Sequence, residues 1–473
     1  MNSEKLIPQG IIHFIGIGGI GMSGIAELMK NQGYQVQGSD LSLNSNIERL
    51  KKKKIKVFLK HKPSNLKKVS LVVFSSAIKK TNPEILESKK LKLPIISRAE
   101  ILGELMRYKQ SIAVAGSHGK TTTTSLIGLI LEKGKKDPTI VNGGIIKSFS
   151  NNYRLGLGKW MVVEADESDG SFLKLPHQIN IITNIDYEHL DYYKDIETLI
   201  STFEDFVNKI PFYGFSIICT ANKLSSKLAQ RIRNKKVITY DYQNRKADVN
   251  ITKIISKKNY SFFSINIKKN IFKKYYGKHN FILNLHGKHN VLNATASIIT
   301  GFLLNIPKYK INLSLKKFEG VNRRFTYLGK IGKSKIYDDY AHHPTEIDAT
   351  YKIARIISTK KIIVIFQPHR FSRTKALYKS FLTTLNKIDT LFIADIYPAG
   401  EKKFKNINSL KIVRDITKLK QSKNKCYYLK SQKDLNKYLK PYFYEENLII
   451  FMGAGTITHW AKKFFRKNES FKI

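Results

Sequence analysis

Residues Gly116–Thr124 read GSHGKTTTT and follow the apolar stretch Ser111–Ala115. A strand, a short glycine loop and a Lys-Thr pair opening a helix to about Lys133 make a phosphate cradle. Loop amides and the helix dipole hold the anionic oxygens there. Lys120 would neutralise β/γ-phosphate charge, and the Thr121 hydroxyl would reach Mg²⁺. The usual loop carries its first glycine five residues before the second. That position is Val114 in this chain, so the loop is a shorter GxxGKT form. A second glycine turn, Gly16-Ile17-Gly18-Gly19-Ile20-Gly21, follows Ile11–Ile15 and opens another helix. It suits a nucleotide diphosphate, and Asp40 stands after the next strand, where a dinucleotide fold places its ribose-binding acid. A hydride-transfer enzyme with NAD would explain this turn and leave GSHGKTTTT idle. An enzyme that uses ATP to activate a nucleotide-linked substrate needs both.

Further polar groups fall at strand ends. Trp160–Val163 leads into Glu164 and then Ala165-Asp166-Glu167-Ser168-Asp169-Gly170. An acid at a strand's C-terminal end, in the sheet that carries the phosphate loop, is where a Mg²⁺ ligand belongs. Ile179–Thr183 leads into Asn184-Ile185-Asp186-Tyr187-Glu188-His189. His189 is read either as a ligand of a second Mg²⁺, an unusual role because Mg²⁺ prefers oxygen, or as a hydrogen-bonded structural histidine. Asp338–Glu346 and Gln367–Thr374 bring three histidines and two arginines to neighbouring strand ends, and Arg370 and Arg373 suit a carboxylate or phosphate.

These groups need α/β elements to position them. In residues 1–105, strands at Ile11–Ile15, Val36–Gly38, Leu71–Ser75 and Pro94–Ile96 alternate with helices at Ser23–Gln32 and Ile47–Lys54. A second unit starts at Ser111. It has strands at Trp160–Ala165 and Ile179–Asn184, a β-rich stretch at 236–286 and a helix from His289 to Leu304. Gly320–Phe325 reads as a linker. Strands near Lys335–Asp338, Ile362–Phe366, Thr390–Ala394 and Leu448–Met452 follow, the last leading into the tight turn Gly453-Ala454-Gly455. The length of 473 residues suits about three domains at about 150 residues each, and 42% hydrophobic residues can build their cores.

Lys plus Arg number 83 against 36 Asp plus Glu, a formal charge of +47. A polyanion-binding protein would concentrate that charge. Here lysine pairs recur along the whole chain, as at Lys67-Lys68, Lys273-Lys274 and Lys462-Lys463, with one longer run at Lys51–Lys54. The pattern reads as compositional drift absorbed by solvated faces, and no nucleic-acid partner is expected. Cys219 and Cys426 are far apart and form no CxxC, which fits a reducing cytoplasm. No apolar run nears the roughly 20 residues of a membrane helix. The glycine-filled N-terminal stretch makes a poor signal peptide.

Taken in order, HFIGIGGIGMSGIAE, GSHGKTTTT, EADESDGSF, TNIDYEHLD, GKHNVLNA, FEGVNRRF, DDYAHHPTE, FQPHRFSRT, IYPAGE and GAGTIT resemble the Mur ligases of peptidoglycan synthesis. Within that family they are nearer the alanine-adding member than those that add Glu, diaminopimelate or Lys, or D-Ala-D-Ala. The resemblance implies three α/β domains. These are an N-terminal Rossmann-like UDP-binding domain (1–105), a central P-loop ATPase-like α/β domain (106–320) and a C-terminal Rossmann-like domain (321–473) that closes over the site. It implies UDP-sugar contacts at Gly16, Gly18, Gly19, Gly21 and Asp40. ATP contacts are implied at Gly116, Ser117, His118, Gly119, Lys120, Thr121, Thr122, His289, Asn290, Asn293, Arg324 and the ribose-binding Asp339. Metal ligands would be Thr121, Glu164 and His189, and the amino acid would meet Tyr340, His342 and Arg373. Lys120, Glu164, His189, His342, Arg370 and Arg373 would serve catalysis. Ala341 departs from the glycine expected there. The implied reaction joins L-alanine to the lactyl carboxylate of UDP-N-acetylmuramate through an acyl phosphate, with ATP and Mg²⁺, in a cytoplasmic monomer or weak dimer. The rival within the family is a ligase that takes another amino acid or a recycled peptide.

Overall fold

The computed structural model describes residues 10–471, apart from 76, 150, 189, 234, 258–259 and 420–424. Packing divides the chain into two compact units, Met1–Ile255 with Phe262–Gly320 and Ser256–Ser261 with Val321–Ile473.

The first unit holds two sheets. One consists of β1 (Ile11–Ile15), β2 (Gln35–Ser39), β3 (Lys56–Phe58), β4 (Val69–Phe74) and β5 (Ile95–Ser97). Its order is β3-β2-β1-β4-β5, and every pairing is parallel. Ile12, Phe14, Leu71 and Val73 belong to one apolar layer and Ile15, Val69 and Val72 to another. Both faces are therefore covered, which is why β1 and β4 read as nearly continuous apolar runs. Helices α1 (Ile20–Asn31), α2 (Ser45–Lys52), α3 (Pro83–Lys90) and α4 (Arg98–Arg107) connect the strands. Their starts are locally encoded. Asn44 accepts from Asn46 and Ile47 amides, Asn82 precedes Pro83, and Ser97 forms a capping box with Glu100.

The second sheet runs β6 (Gln110–Ala115), β7 (Thr139–Ile146), β8 (Asn151–Arg154), β9 (Trp160–Glu164), β10 (Ile179–Ile182), β11 (Phe215–Cys219), β12 (Val237–Tyr242), β13 (Val249–Ser256), β14 (Ser261–Ile267) and β15 (Gly277–Leu283). Its order is β15-β14-β13-β12-β11-β10-β6-β9-β7-β8. β6 lies between β10 and β9 and is parallel to both, with Val114 opposite Glu164. Helix α5 (Lys120–Lys133) leaves the β6 end and packs against helix Lys288–Leu303.

The second unit carries β16 (Thr326–Ile331), β17 (Ser334–Asp339), β18 (Ile362–Phe366), β19 (Thr390–Ala394), β20 (Lys425–Leu429) and β21 (Leu448–Met452), in the order β16-β17-β21-β18-β19-β20. Only β16 is antiparallel to its neighbour. β18, β19 and β21 are buried at every position. Lys51–Lys54, Lys67-Lys68, Lys273-Lys274 and Lys462-Lys463 are all exposed, so the excess charge is carried by solvated faces. Among the described residues no helix is long and apolar enough to cross a membrane.

Candidate active site

The loop after β6 is strapped to the end of β10. Thr183 donates its hydroxyl to the His118 carbonyl at 2.6 Å. The Asn184 side chain accepts from the His118 amide and donates to the His118 carbonyl, both at 2.9 Å. The Asp186 amide donates to Ser117 Oγ at 2.8 Å, and Asp186 Oδ2 lies 3.1 Å from His118 Nε2. The stretch Asn184–Asp186, read from sequence as a polar strand tip, thus shapes the phosphate loop. Gly119 caps α5 with φ +84°, and a Cβ there would lie 2.5 Å from Asn293 Oδ1. Only glycine meets both demands without strain.

Lys120 curls back over this loop. Its Nζ donates to the Gly116 carbonyl at 2.6 Å and to Glu167 Oε1 at 3.0 Å, with Oε2 at 2.8 Å. Burial alone would lower its pKa, but Glu167, Asp166 and Glu164 together drive it above the ordinary lysine value. It remains an ammonium at neutral pH. One residue on, Thr121 donates its hydroxyl to Glu164 Oε1 at 3.1 Å, and the Gly143 amide donates to Oε2 at 2.7 Å. A Cβ at Gly143 would stand 2.7 Å from Oε1. A hydroxyl and a carboxylate side by side are hard oxygen donors, the set a magnesium ion takes. Asn293 reaches the loop, whereas His289 is exposed and Asn290 is bonded to the His286 carbonyl in the first turn of the same helix. His189 lies outside the described residues.

The other glycine turn is built on the end of β2. Gly16 and Ile17 amides donate to the Ser39 carbonyl at 2.8 and 3.0 Å. Gly18 donates its amide to Asp40 Oδ2 at 2.8 Å, so this carboxylate holds the turn that it was expected to serve as a ribose ligand. Sequence reasoning missed Arg98. A Cβ at Gly21 would lie 2.5 Å from its Nη1, and its Nη2 is 3.6 Å from Asp166 Oδ2. Arg98, Lys174, Ser171 and Tyr192 help line a cavity of about 340 Å³. The signal was Arg98 following Ser97 and opening α4, next in sequence to a strand end.

In the second unit two guanidinium groups lie over the Tyr340 ring, Arg323 at 4.5 Å and Arg324 at 5.3 Å from its centroid. Arg324 also pairs with Glu346 at 3.1 Å, and His342 Nδ1 lies 3.2 Å from the other oxygen of Glu346. His342 meets His369 edge-on at 5.8 Å, and His369 stacks on Tyr397. Arg373 donates to the His369 carbonyl at 3.3 Å. Burial, with His342, Arg373, Arg370 and Arg323 nearby, pushes the His369 pKa down to about 3. His369 is therefore neutral. Asp339 is buried, and its oxygens accept from the Phe325 and Ala341 amides and the Thr350 hydroxyl; burial pushes it up to about 6. Its carboxylate holds local backbone here, a role the resemblance did not imply. Arg370 opens helix Phe371–Ala376 with φ +70°, a conformation uncommon outside glycine.

Comparison with known proteins identifies the family. The model described as Mur ligase family, catalytic domain matches residues 11–110; Mur ligase middle domain matches 114–301; Mur ligase, glutamate ligase domain matches 323–455. A UDP-N-acetylmuramate–L-alanine ligase of Methylorubrum extorquens (strain PA1) is 43% identical over 97% of both chains. The crystal structure of UDP-N-acetylmuramate-alanine ligase MurC from Thermotoga maritima superposes with a TM-score of 0.83 at 27% identity, covering 98% of this chain and 100% of that one. A murein peptide ligase from Psychrobacter arcticus 273-4 shares the fold, with a TM-score of 0.71 at 21% identity over 98% and 99% of the two chains. With three successive family models matched and a relative of this identity along nearly its whole length, the chain belongs to the Mur ligase family.

Proposed function

We propose that this chain joins L-alanine to the lactyl carboxylate of UDP-N-acetylmuramate, converting ATP to ADP and phosphate through an acyl phosphate. The observation that carries the reading is the withdrawn Lys120 ammonium, folded over the phosphate loop beside the Thr121–Glu164 pair. The similarity to L-alanine ligases along 97% of the chain supports the choice of substrates. Residues 1–105 are assigned the sugar nucleotide, 106–320 ATP and 321–473 the amino-acid end.

The loop amides, fixed before the substrate arrives, and the Lys120 ammonium, once it turns from Glu167 to the phosphate, stabilise charge on the transferring phosphoryl group. Thr121 and Glu164 would hold Mg²⁺, and the resemblance adds His189. That ion, when bound, neutralises phosphate oxygens. Arg370, Arg373, Tyr340 and His342 are assigned the amino acid and the acyl-phosphate end. The amine must lose a proton before it attacks. A neutral His369 with so low a pKa is a poor base, and the His/Asp cluster at Asp339–His343 is the candidate acceptor. ATP and the sugar nucleotide are cytoplasmic substrates, so the cytoplasm is the proposed compartment.

The test is ADP release with UDP-N-acetylmuramate while each amino acid, and the cell-wall peptide, is supplied in turn. Release dependent on both the sugar nucleotide and L-alanine is expected. Release that requires the peptide instead would replace this reading with the peptide-ligase one.

A further inference from the structure

The block Ile396–Glu401 follows β19 and has no part in the chemistry above. It lies beside the turn that carries Arg370 between β18 and helix Phe371–Ala376. Arg370 has φ +70° and ψ +137°. The small left-handed region open to residues with a Cβ ends near ψ of about +60°, so this backbone is strained. Such a conformation persists only where its surroundings over-determine it, and such residues cluster at functional sites.

The surroundings here are one short connection. Before Arg370, the Pro368 carbonyl accepts from the Tyr397 amide at 2.8 Å, and the His369 and Tyr397 rings stack with centroids 5.4 Å apart. At Arg370 itself, the amide donates to the Tyr397 carbonyl at 2.8 Å. After it, the Ser372 amide donates to Glu401 Oε2 at 3.0 Å and the Ser372 hydroxyl to Oε1 at 2.5 Å. Tyr397 and Glu401 are themselves joined by a tight turn. The Glu401 amide donates to the Pro398 carbonyl at 3.0 Å, and both central residues, Ala399 and Gly400, have positive φ, +48° and +86°. Residues 397–401 thus grip the strained turn on both sides. The Arg370 carbonyl in turn accepts from the Thr374 amide and hydroxyl at 3.2 and 2.8 Å, and Arg373 donates to the His369 carbonyl. Both arginines therefore belong to the gripped segment. Rotation about the N–Cα bond carries the side chain with it, so release of φ would swing the Arg370 guanidinium relative to β18.

We propose that Glu401 is a positioning residue for the amino-acid end. With Tyr397 it clasps the strained turn at Arg370, and so fixes where that guanidinium meets the carboxylate of the incoming amino acid. The proposal rests on the reading of Arg370 as serving the amino-acid end.

Steady-state ADP release by the full chain, with each substrate varied in turn, tests it. Glu401→Ala should raise KM for L-alanine about tenfold and change KM for ATP and for UDP-N-acetylmuramate by less than about twofold. In an Arg370→Gly background, Glu401→Ala should raise KM for L-alanine by less than about a further twofold, since it acts through the missing guanidinium. Equal rises for every substrate, or the same rise in both backgrounds, would mean a merely structural carboxylate and overturn the proposal. Arg370→Gly with the wild-type KM for L-alanine would overturn the underlying reading of Arg370 instead. Should Glu401→Ala fail to fold, the Tm of Arg370→Gly against that of Arg370→Ala decides. Both lack the guanidinium, and only glycine takes this φ without strain. A higher Tm for the glycine variant is expected; an equal or higher one for the alanine variant would show that there is no strain to clasp and overturn the proposal.

Discussion

Lys120 and His369 are both basic side chains withdrawn from solvent, one in each unit, and their neighbours push them in opposite directions. Around Lys120 stand Glu164, Asp166 and Glu167, and the ammonium is locked on. Around His369 stand His342, Arg323, Arg370 and Arg373, and the imidazole is locked neutral. Desolvation disfavours the charge in both, so the sign of the surrounding charges decides. The first region offers a permanent cation to phosphate oxygens. The second concentrates guanidinium groups and keeps its central imidazole uncharged, an arrangement suited to an anionic partner that brings the balancing charge.

The comparison breaks most easily at Lys120. Lys120→Ala should cost about 3–4 kcal/mol of transition-state stabilisation, on the order of 10²–10³ in kcat. Steady-state ADP release measures it, and unchanged turnover would remove Lys120 from the chemistry. Next in size is Gly119→Ala, which forces an alanine to φ +84° against Asn293. A stability loss of about 1–3 kcal/mol in urea denaturation is expected, with a raised KM for ATP.

His369 sharpens the other side of the comparison. Its folded pKa of about 3 lies below the unfolded value of 6.5. Between those values the unfolded chain binds a proton that the folded chain does not. Stability from this group is therefore full above the unfolded pKa and is lost as pH falls, by at most about 1.4 kcal/mol per pH unit. Denaturation midpoints of wild type and His369→Gln across this range should converge as pH falls; parallel curves would mean the imidazole protonates freely. The smallest effect is expected at Asp40, outside both regions. Asp40→Ala should raise KM for UDP-N-acetylmuramate by roughly fivefold, about 1 kcal/mol, and leave KM for ATP unchanged. Equal changes would show that the two seats are not separate.

Much of this fold was legible in local pattern. β1, β18, β19 and β21 match the expected strands residue for residue, because strands buried on both faces are nearly continuous apolar runs. Helices α3 and α4 and the three-residue β3 were not anticipated. β3 is a short edge strand whose sequence, Lys-Val-Phe, gives no alternation to read. α3 packs through few apolar positions, although Asn82-Pro83 was a usable start signal. At the site, the phosphate loop and Glu164 were readable because the motif is contiguous and its flanking strands are clear. Glu167 was visible only as one of several acids; its ion pair with Lys120 spans 47 residues of sequence. Arg98 depends likewise on contacts between distant segments, which spacing does not encode. The engagement of Asp40 by Gly18 and of Asp339 by backbone amides was equally invisible.

The most direct test is a crystal structure with a non-hydrolysable ATP analogue. The triphosphate is expected on the amides of residues 116–122, with the Lys120 ammonium released from Glu167 onto phosphate oxygens. A triphosphate bound elsewhere, with Lys120 still paired to Glu167, would contradict it.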